Sequence, residues 1–298
     1  MALDPRHIAL VLSISRHGSF SAAADALHTS QPALSNRIAI LERELGVKVF
    51  NRNRYGVTLT DDGQLLLRHA KAMEATIAQA REEIELKKRG SEGPLSIGTT
   101  AVSAYELVPR ALGQLMGSKI VLSVIEDFDE VLIDKLQAGE LDMVVGTLGP
   151  APPTIRQEKL IEFSFALAVS AGDKLARRRS ISLRELAGSQ WALPPLGGAF
   201  RRYVEAIFLN NGVPFPEDCW TFGSAMSVKA AVQHAGCVTI LPRHFMRVEE
   251  RAGVLKAIKL ADSSPARPIG LMHARVRPLS PVAERFRQAL HYVAGSLR

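Results

Sequence analysis

The run from Asp61 to Lys88 constrains this chain more than any other feature. Leu66, Ala70, Met73, Ile77, Ala80 and Ile84 recur at alternating spacings of four and three, the a/d rhythm of a coiled coil. That rhythm predicts one long helix with a narrow apolar seam. Such a seam must be covered, either by the core of its own chain or by a second copy, and a dimer seam is the favoured reading. Immediately beyond it, KKRGSEGP (Lys87–Pro94) combines charge, glycine and proline and reads as a linker. The helix and linker thus separate a short leading region from everything that follows Leu95.

The leading region, up to about residue 60, has a helical period and short loops. Ile8, Val11, Leu12 and Ser15 mark one face of a first helix ending at Gly18. Ser19 suits the N-cap of a second helix, with Phe20, Ala23, Ala24 and Leu27 on its buried side. Ser30 can cap a third, with Pro32 in the first turn, where a missing N–H costs nothing. Leu34, Ile38, Leu41 and Leu45 then follow at helical spacing, and Gly46 suits the stop. Two short strands, Lys48–Asn51 and Val57–Thr60, are expected around a basic turn.

Two helices joined by a short turn, the second polar on its exposed face, form a helix-turn-helix. Gln31, Ser35, Asn36 and Arg37 are the polar residues left on that face. Amide and guanidinium groups can bond bidentately to adenine and guanine edges, and serine can donate or accept. Arg52 and Arg54, beside Tyr55 and Gly56, suit a wing that meets phosphates or the minor groove. The alternative is a solvated polar face on a small helical domain.

From Leu95 onward, strand-like and helical segments alternate. LSIGTT, IVLSVIE, LDMVVGT, FALAVS, QWALP, CVTIL and PIGLMHA read as strands. Helices are expected near Ala104–Met116, Glu130–Ala138, Phe200–Asn210, Val228–His234 and Pro281–Ala294. The pattern is α/β with largely parallel sheets, and its length calls for two subdomains.

The stretch GSFSAAADALHTSQPALSNRIAILERELGVKVFNRNRYGVTLTDDG resembles the N-terminal domain of LysR-type transcriptional regulators. The likeness runs in order through SFSAAA, SQPALS, LERELGVKVF and the wing pattern R-x-x-x-G-V-x-L-T-x-x-G. LQAGELDMVVG and VQHAGCVTILP extend it more weakly into the remainder. The resemblance implies a winged helix-turn-helix over 1–60, a dimerising helix over 61–89 and a hinge at 90–94. It further implies an effector domain over 95–298 of two Rossmann-like subdomains, similar to type II periplasmic binding proteins. One would span about 95–163 and 266–298, the other about 164–265. Gln31, Pro32 and Ser35 match the family's base-contacting face, with Ser30 at its cap, and Arg52 matches the wing arginine. The residue after PALS is often basic in the family. Here it is Asn36, with Arg37 next, so either of the two could be the reader.

In open α/β sheets, ligands sit beyond the carboxyl ends of strands and near helix starts, which favour anions. GTTAVSAYELV offers Thr99, Thr100 and Ser103 at such a junction, and VVGTLG places Gly146 and Thr147 at another strand end. LPPLGG contributes Pro195, and FGSAMSVKAAV contributes Ser224 and Ser227. By similarity to the family, these loops face one another across a cleft. Each hydroxyl taken singly reads as an N-cap; their convergence is what points to a ligand. Phe128 and Phe200 could wall the cleft or pack in a core.

The balance of 47% apolar and 22% charged residues is that of a globular chain, and the net charge of +7 is compatible with a polyanionic partner. GxGxxG after a strand, GxxxxGK[ST], HExxH and GxSxG are all missing from the sequence. Neither a cofactor, a metal nor an enzymatic activity is therefore expected. No stretch approaches the roughly 20 apolar residues of a membrane span, and the expected location is the cytoplasm. Cys219 and Cys237 lie in apolar contexts without flanking cations. That argues against the peroxide-sensing pair used by one branch of the family.

The expectation is an effector-controlled regulator that reads an interrupted palindromic operator in double-stranded DNA. It would dimerise through the long helix and assemble as a tetramer, and its effector would be a small carboxylate. Two alternatives stand beside it. One is a solute-binding module or enzyme with a helical appendage, and the other is a DNA binder without an effector.

Overall fold

The computed structural model describes residues 4–53, 56–262 and 267–297, apart from the side chains of Pro5, Arg52, Asn53 and Ala199. The chain divides into two compact units. One holds the residues up to Gly90 with Gln137–Glu140, and the other holds the remainder from Ser91.

The first unit opens with α1 (Pro5–His17), α2 (Phe20–Ala26) and α3 (Gln31–Leu45). Their ends follow from local chemistry. Asp4, Ser19 and Ser30 each accept a backbone N–H of the first turn, and Gly18 and Gly46 take the left-handed conformation that closes α1 and α3. An antiparallel pair follows, β1 (Phe50–Asn53) and β2 (Gly56–Leu59), two residues later and one residue earlier respectively than the sequence pattern implied. Val11, Ile14, Leu34, Ile38, Leu41 and Val49 form the core, with Phe20 edge-on to Phe50 at 5.8 Å.

Next comes α4 (Asp61–Lys88), and its seam divides. Leu66 and Ala70 pack on Ile8 and Leu12 of α1 and so belong to the core of their own chain. This corrects their assignment to a dimer seam. Met73, Ile77, Ala80 and Ile84 continue the stripe but stand exposed.

The second unit runs β3 (Gly93–Thr99), α5 (Ala101–Tyr105), α6 (Leu107–Gly113), β4 (Ile120–Glu126), α7 (Asp129–Ala138), β5 (Met143–Thr147) and β6 (Ile155–Phe163). It then crosses into β7 (Phe165–Ser170), β8 (Ser180–Ile181), β9 (Trp191–Leu193), α8 (Ala199–Asn210), β10 (Cys219–Thr221), α9 (Ala225–Ala235), β11 (Thr239–Pro242), α10 (Arg247–Arg251) and β12 (Leu255–Leu260). β13 (Arg267–Ala274) and α11 (Pro281–Ser296) complete it. The linker expected through Pro94 is shorter than its composition implied, because Gly93 and Pro94 already pair with β4.

Two lobes result. Lobe I is built on a five-stranded sheet in the order β4-β3-β5-β13-β6, and lobe II on the order β11-β7-β12-β8. The pair β10-β9 joins lobe II through a bridge from Trp191 to Val238. The sheets are mixed, not largely parallel. The chain leaves lobe I between β6 and β7 and returns between β12 and β13. The outgoing and returning strands lie side by side in each lobe and therefore run antiparallel, β13 against β6 and β12 against β7.

The helix expected over Ala104–Met116 is two helices broken at Glu106. Pro109 has no N–H to offer the Tyr105 carbonyl, which ends the first helix there. Cys219 pairs with Trp191, whose other side bridges Val238. A whole strand therefore separates the two cysteines, roughly 10 Å by strand spacing, beyond disulfide reach.

Candidate nucleic-acid interface and ligand cleft

In the first unit, the buried stripe of Leu34, Ile38 and Leu41 fixes which face of α3 looks outward. Gln31, Pro32, Asn36 and Arg37 are exposed and Ser35 is half-buried, while exposed Ser30 caps the helix with its hydroxyl on the Ala33 N–H. At about 100° per residue, Asn36 points directly away from the buried stripe and Arg37 lies on its flank. Arg52 sits on β1, but its side chain, like the whole of Arg54, lies outside the described residues.

α3 is tied to β1 by one buried acid. Glu42 accepts the backbone N–H groups of Val49 and Phe50 and pairs with Lys48 at 2.6 Å. Burial alone would raise its carboxyl pKa, but the Lys48 ammonium and the two N–H groups outweigh burial and hold it below the ordinary value.

In the second unit a cavity of about 270 Å³ lies between the lobes. Of the residues expected there, Thr100, Phe128, Thr147, Pro195, Phe200 and Ser224 line it. Ser224 also caps α9, accepting the Ser227 N–H at 3.1 Å. The Thr100 hydroxyl, on a residue only 9% exposed, has no hydrogen-bond partner among the described residues.

Four expected residues are not on the wall. Thr99 is buried, with its hydroxyl donating to the Thr100 carbonyl at 3.2 Å. Ser103 is fully buried away from the cavity, because α5 turns it inward. Ser227 remains on the surface, its hydroxyl bonded to that of Ser224 at 2.8 Å. Gly146 lies behind the wall. A Cβ there would stand 2.7 Å from Asp129 Oδ1, so the glycine allows Asp129 to take its place.

The wall is also ionisable, which the hydroxyl pattern did not indicate. Glu126, Asp127, Asp129 and Arg267 all reach the cavity. Asp129 Oδ1 accepts the Thr147 N–H at 3.1 Å. Burial pushes the Asp129 carboxyl up, and that N–H and Arg267 only partly oppose the rise. Arg267 is pushed down by burial, with Asp129 acting the other way, and its guanidinium lies over the Tyr203 ring at 5.1 Å. The acidic run EDFDE and the arginine opening β13 were the available signals. Phe163, Phe165 and Phe245 also enter the wall; core-like spacing gave no hint of this.

Both lobes touch across the cleft mouth. Arg202 of α8 pairs with Glu130 of α7, and Phe128 lies so close to Gly198 that a Cβ there would stand 2.8 Å from the ring. Behind the cleft, His244 from lobe II donates through Nε2 to the Val102 carbonyl at 3.3 Å and stacks on Phe163 at 3.6 Å. Burial pushes its imidazole pKa down to about 4.

Among the described residues no helix is long and apolar enough to cross a membrane, and no group of three or more acidic, histidine or cysteine side chains could hold a metal ion.

The chain matches two family profiles. Residues 5–64 match the bacterial regulatory helix-turn-helix protein of the lysR family, and residues 88–295 match the LysR substrate binding domain. It is 29% identical over 293 residues to the transcriptional regulator GbpR of Azospirillum brasilense, covering 97% of this chain and 86% of that one. The crystal structure of ArgP from Mycobacterium tuberculosis shares the fold at TM-score 0.70 and 19% identity, over 98% of each chain. CbnR complexed with its target DNA does so at 0.60 and 20% identity, over 98% and 99%.

Proposed function

Because this chain belongs to the LysR family of bacterial transcriptional regulators, we propose that its inter-lobe cavity takes a small organic acid whose binding sets the protein's hold on DNA. As a member of that family it is a DNA-binding transcriptional regulator with an effector-binding domain, and not an enzyme. The observation that carries the finer reading is the cavity itself. Half-buried Arg267 and buried Thr100 line one inter-lobe space whose wall is mostly apolar side chains, an arrangement in which a few polar groups orient a small ligand.

On the DNA side, Gln31, Pro32, Ser35 and Asn36 form the reading face of α3, with Asn36 at the edge farthest from the buried stripe. Arg37, Arg52 and Arg54 supply phosphate or minor-groove contacts. The existence of a related fold on target DNA supports this use of the helix. The exposed stripe of Met73, Ile77, Ala80 and Ile84 pairs with a second copy, so that two reading helices meet an interrupted palindrome. Two such dimers form the working tetramer. A ligand that bridges the lobes favours one lobe arrangement over another and shifts the population of the DNA-competent assembly.

Gel-shift titration with the region upstream of the protein's own gene, repeated with a panel of organic acids, tests this reading. Specific retardation that at least one acid strengthens or weakens is expected. Absence of specific binding at low salt, with and without the panel, would overturn the regulatory reading. Binding indifferent to every acid would overturn the effector reading alone.

A further inference from the structure

The charges on the cavity wall narrow the ligand class. Three carboxylates, from Glu126, Asp127 and Asp129, reach the same space as one guanidinium, Arg267. A ligand bearing only a carboxylate would gain Arg267 but meet the partly buried Asp129, with Glu126 and Asp127 exposed beside it. Like charges within a few ångströms cost more as the surroundings become less watery.

Asp129 is also a built part of the wall. The Thr147 N–H anchors one of its oxygens, and Gly146 leaves room behind it. It cannot swing into bulk water without losing that bond. Its carboxylate and the Arg267 guanidinium lie within electrostatic reach of one another. Adjacent negative and positive groups of this kind match a head group carrying an ammonium beside a carboxylate. The rest of the wall is aromatic and apolar, with Phe165, Phe200 and Phe245 among its members.

We propose that the cleft takes a zwitterionic α-amino acid with an apolar side chain. Its ammonium meets Asp129, its carboxylate meets Arg267, and its side chain lies against the phenylalanines. The proposal rests on the cleft being the effector site and specifies what that site selects.

Three probes of one shape separate the charge requirements: L-phenylalanine, 3-phenylpropionate, which lacks the ammonium, and 2-phenylethylamine, which lacks the carboxylate. L-leucine tests the tolerance for an aliphatic body. Calorimetric titration of the full-length protein is expected to show the amino acids binding at least tenfold more tightly than either single-charge analogue. D129N should remove most of the preference for phenylalanine over phenylpropionate, and R267Q should weaken both. Circular dichroism establishes that each variant is folded, and the wild-type ratio stands as a test without either variant. Equal or tighter binding of 3-phenylpropionate would overturn the zwitterion proposal while leaving the organic-acid site standing. No binding of any of the four probes would overturn it as well, and the organic-acid panel on DNA would then judge the cleft independently.

Discussion

The Glu42 carboxylate accepts the backbone N–H of Val49 at 2.9 Å, so the C-terminal half of α3 holds the start of β1 directly. A second N–H, from Phe50, shares the same oxygen at 3.3 Å. Replacing Glu42 by alanine leaves two buried donors unmet, at a cost of about 2 kcal/mol. Hydrogen exchange at the Val49 and Phe50 amides should accelerate in E42A. The folded carboxyl titrates below its unfolded value. Its contribution is therefore complete above the unfolded pKa and is lost as pH falls through the folded one. Exchange protection at these two amides should decline with acid in the wild type and be indifferent to that window in E42A.

Asn36 and Arg37 should separate on DNA. N36A is expected to lose discrimination at one base pair, worth about 1–3 kcal/mol for a bidentate amide. R37A should weaken all sequences alike and reduce the salt slope by about one. Binding assays with single-position operator variants at two salt concentrations distinguish the two patterns.

The exposed half of the α4 stripe should carry self-association. Ile77 is 54% exposed within its own chain, so I77D leaves that chain's core intact. Sedimentation equilibrium should show the dimer of I77D dissociating at concentrations where the wild type remains associated. An unchanged dissociation constant would move the interface elsewhere.

Gly198 and Phe128 should be coupled. The Gly198 backbone, at φ −75°, accepts alanine, and among the described residues the nearest atoms a Cβ would meet are those of the Phe128 ring. Overpacking of this kind costs about 1–3 kcal/mol. Thermal denaturation should show G198A destabilised, and the penalty should largely vanish when Phe128 is already alanine.

His244 should make the effector unit acid-sensitive. Its imidazole is 5% exposed and titrates at about 4, against an ordinary value of 6.5. The unfolded chain takes up the proton first, so stability falls as pH drops from about 6.5 towards 4, by roughly 3 kcal/mol at the limit. A pH series of melting temperatures should slope downward over that interval and flatten in H244Q.

Much of this architecture was legible before the structure. Ser19, Ser30, Gly18 and Gly46 mark helix ends through hydrogen bonds and backbone conformations confined to a few neighbouring residues, so local sequence suffices to place them. β6 and β12 were missed. IRQEKLIEF carries charge on its exposed positions, and Ile258 interrupts the alternation of LKAIKL. Neither shows a clean period of two, because each is positioned by its neighbours in the sheet. The cleft divides in the same way. Thr100, Thr147 and Ser224 stand at strand or helix ends, where ligand-facing residues collect. Asp129 and Arg267 lie 138 positions apart by their numbering, and nothing local announces that they face one space.

The sequence by itself determined α1, α2 and α3, their caps and the exposed polar face of α3, since period and capping act over a turn or two of chain. It also determined that Asp61–Lys88 would be a single helix with an apolar stripe. Only the tertiary structure decided which half of that stripe is free, because packing of Leu66 and Ala70 on α1 depends on residues some 60 positions upstream. It likewise decided the sheet directions and the charge of the cleft. The sheet directions arise where the chain crosses twice between lobes, and the cleft charge where the start of β13 brings Arg267 to the acids after β4, pairings that no local interaction connects.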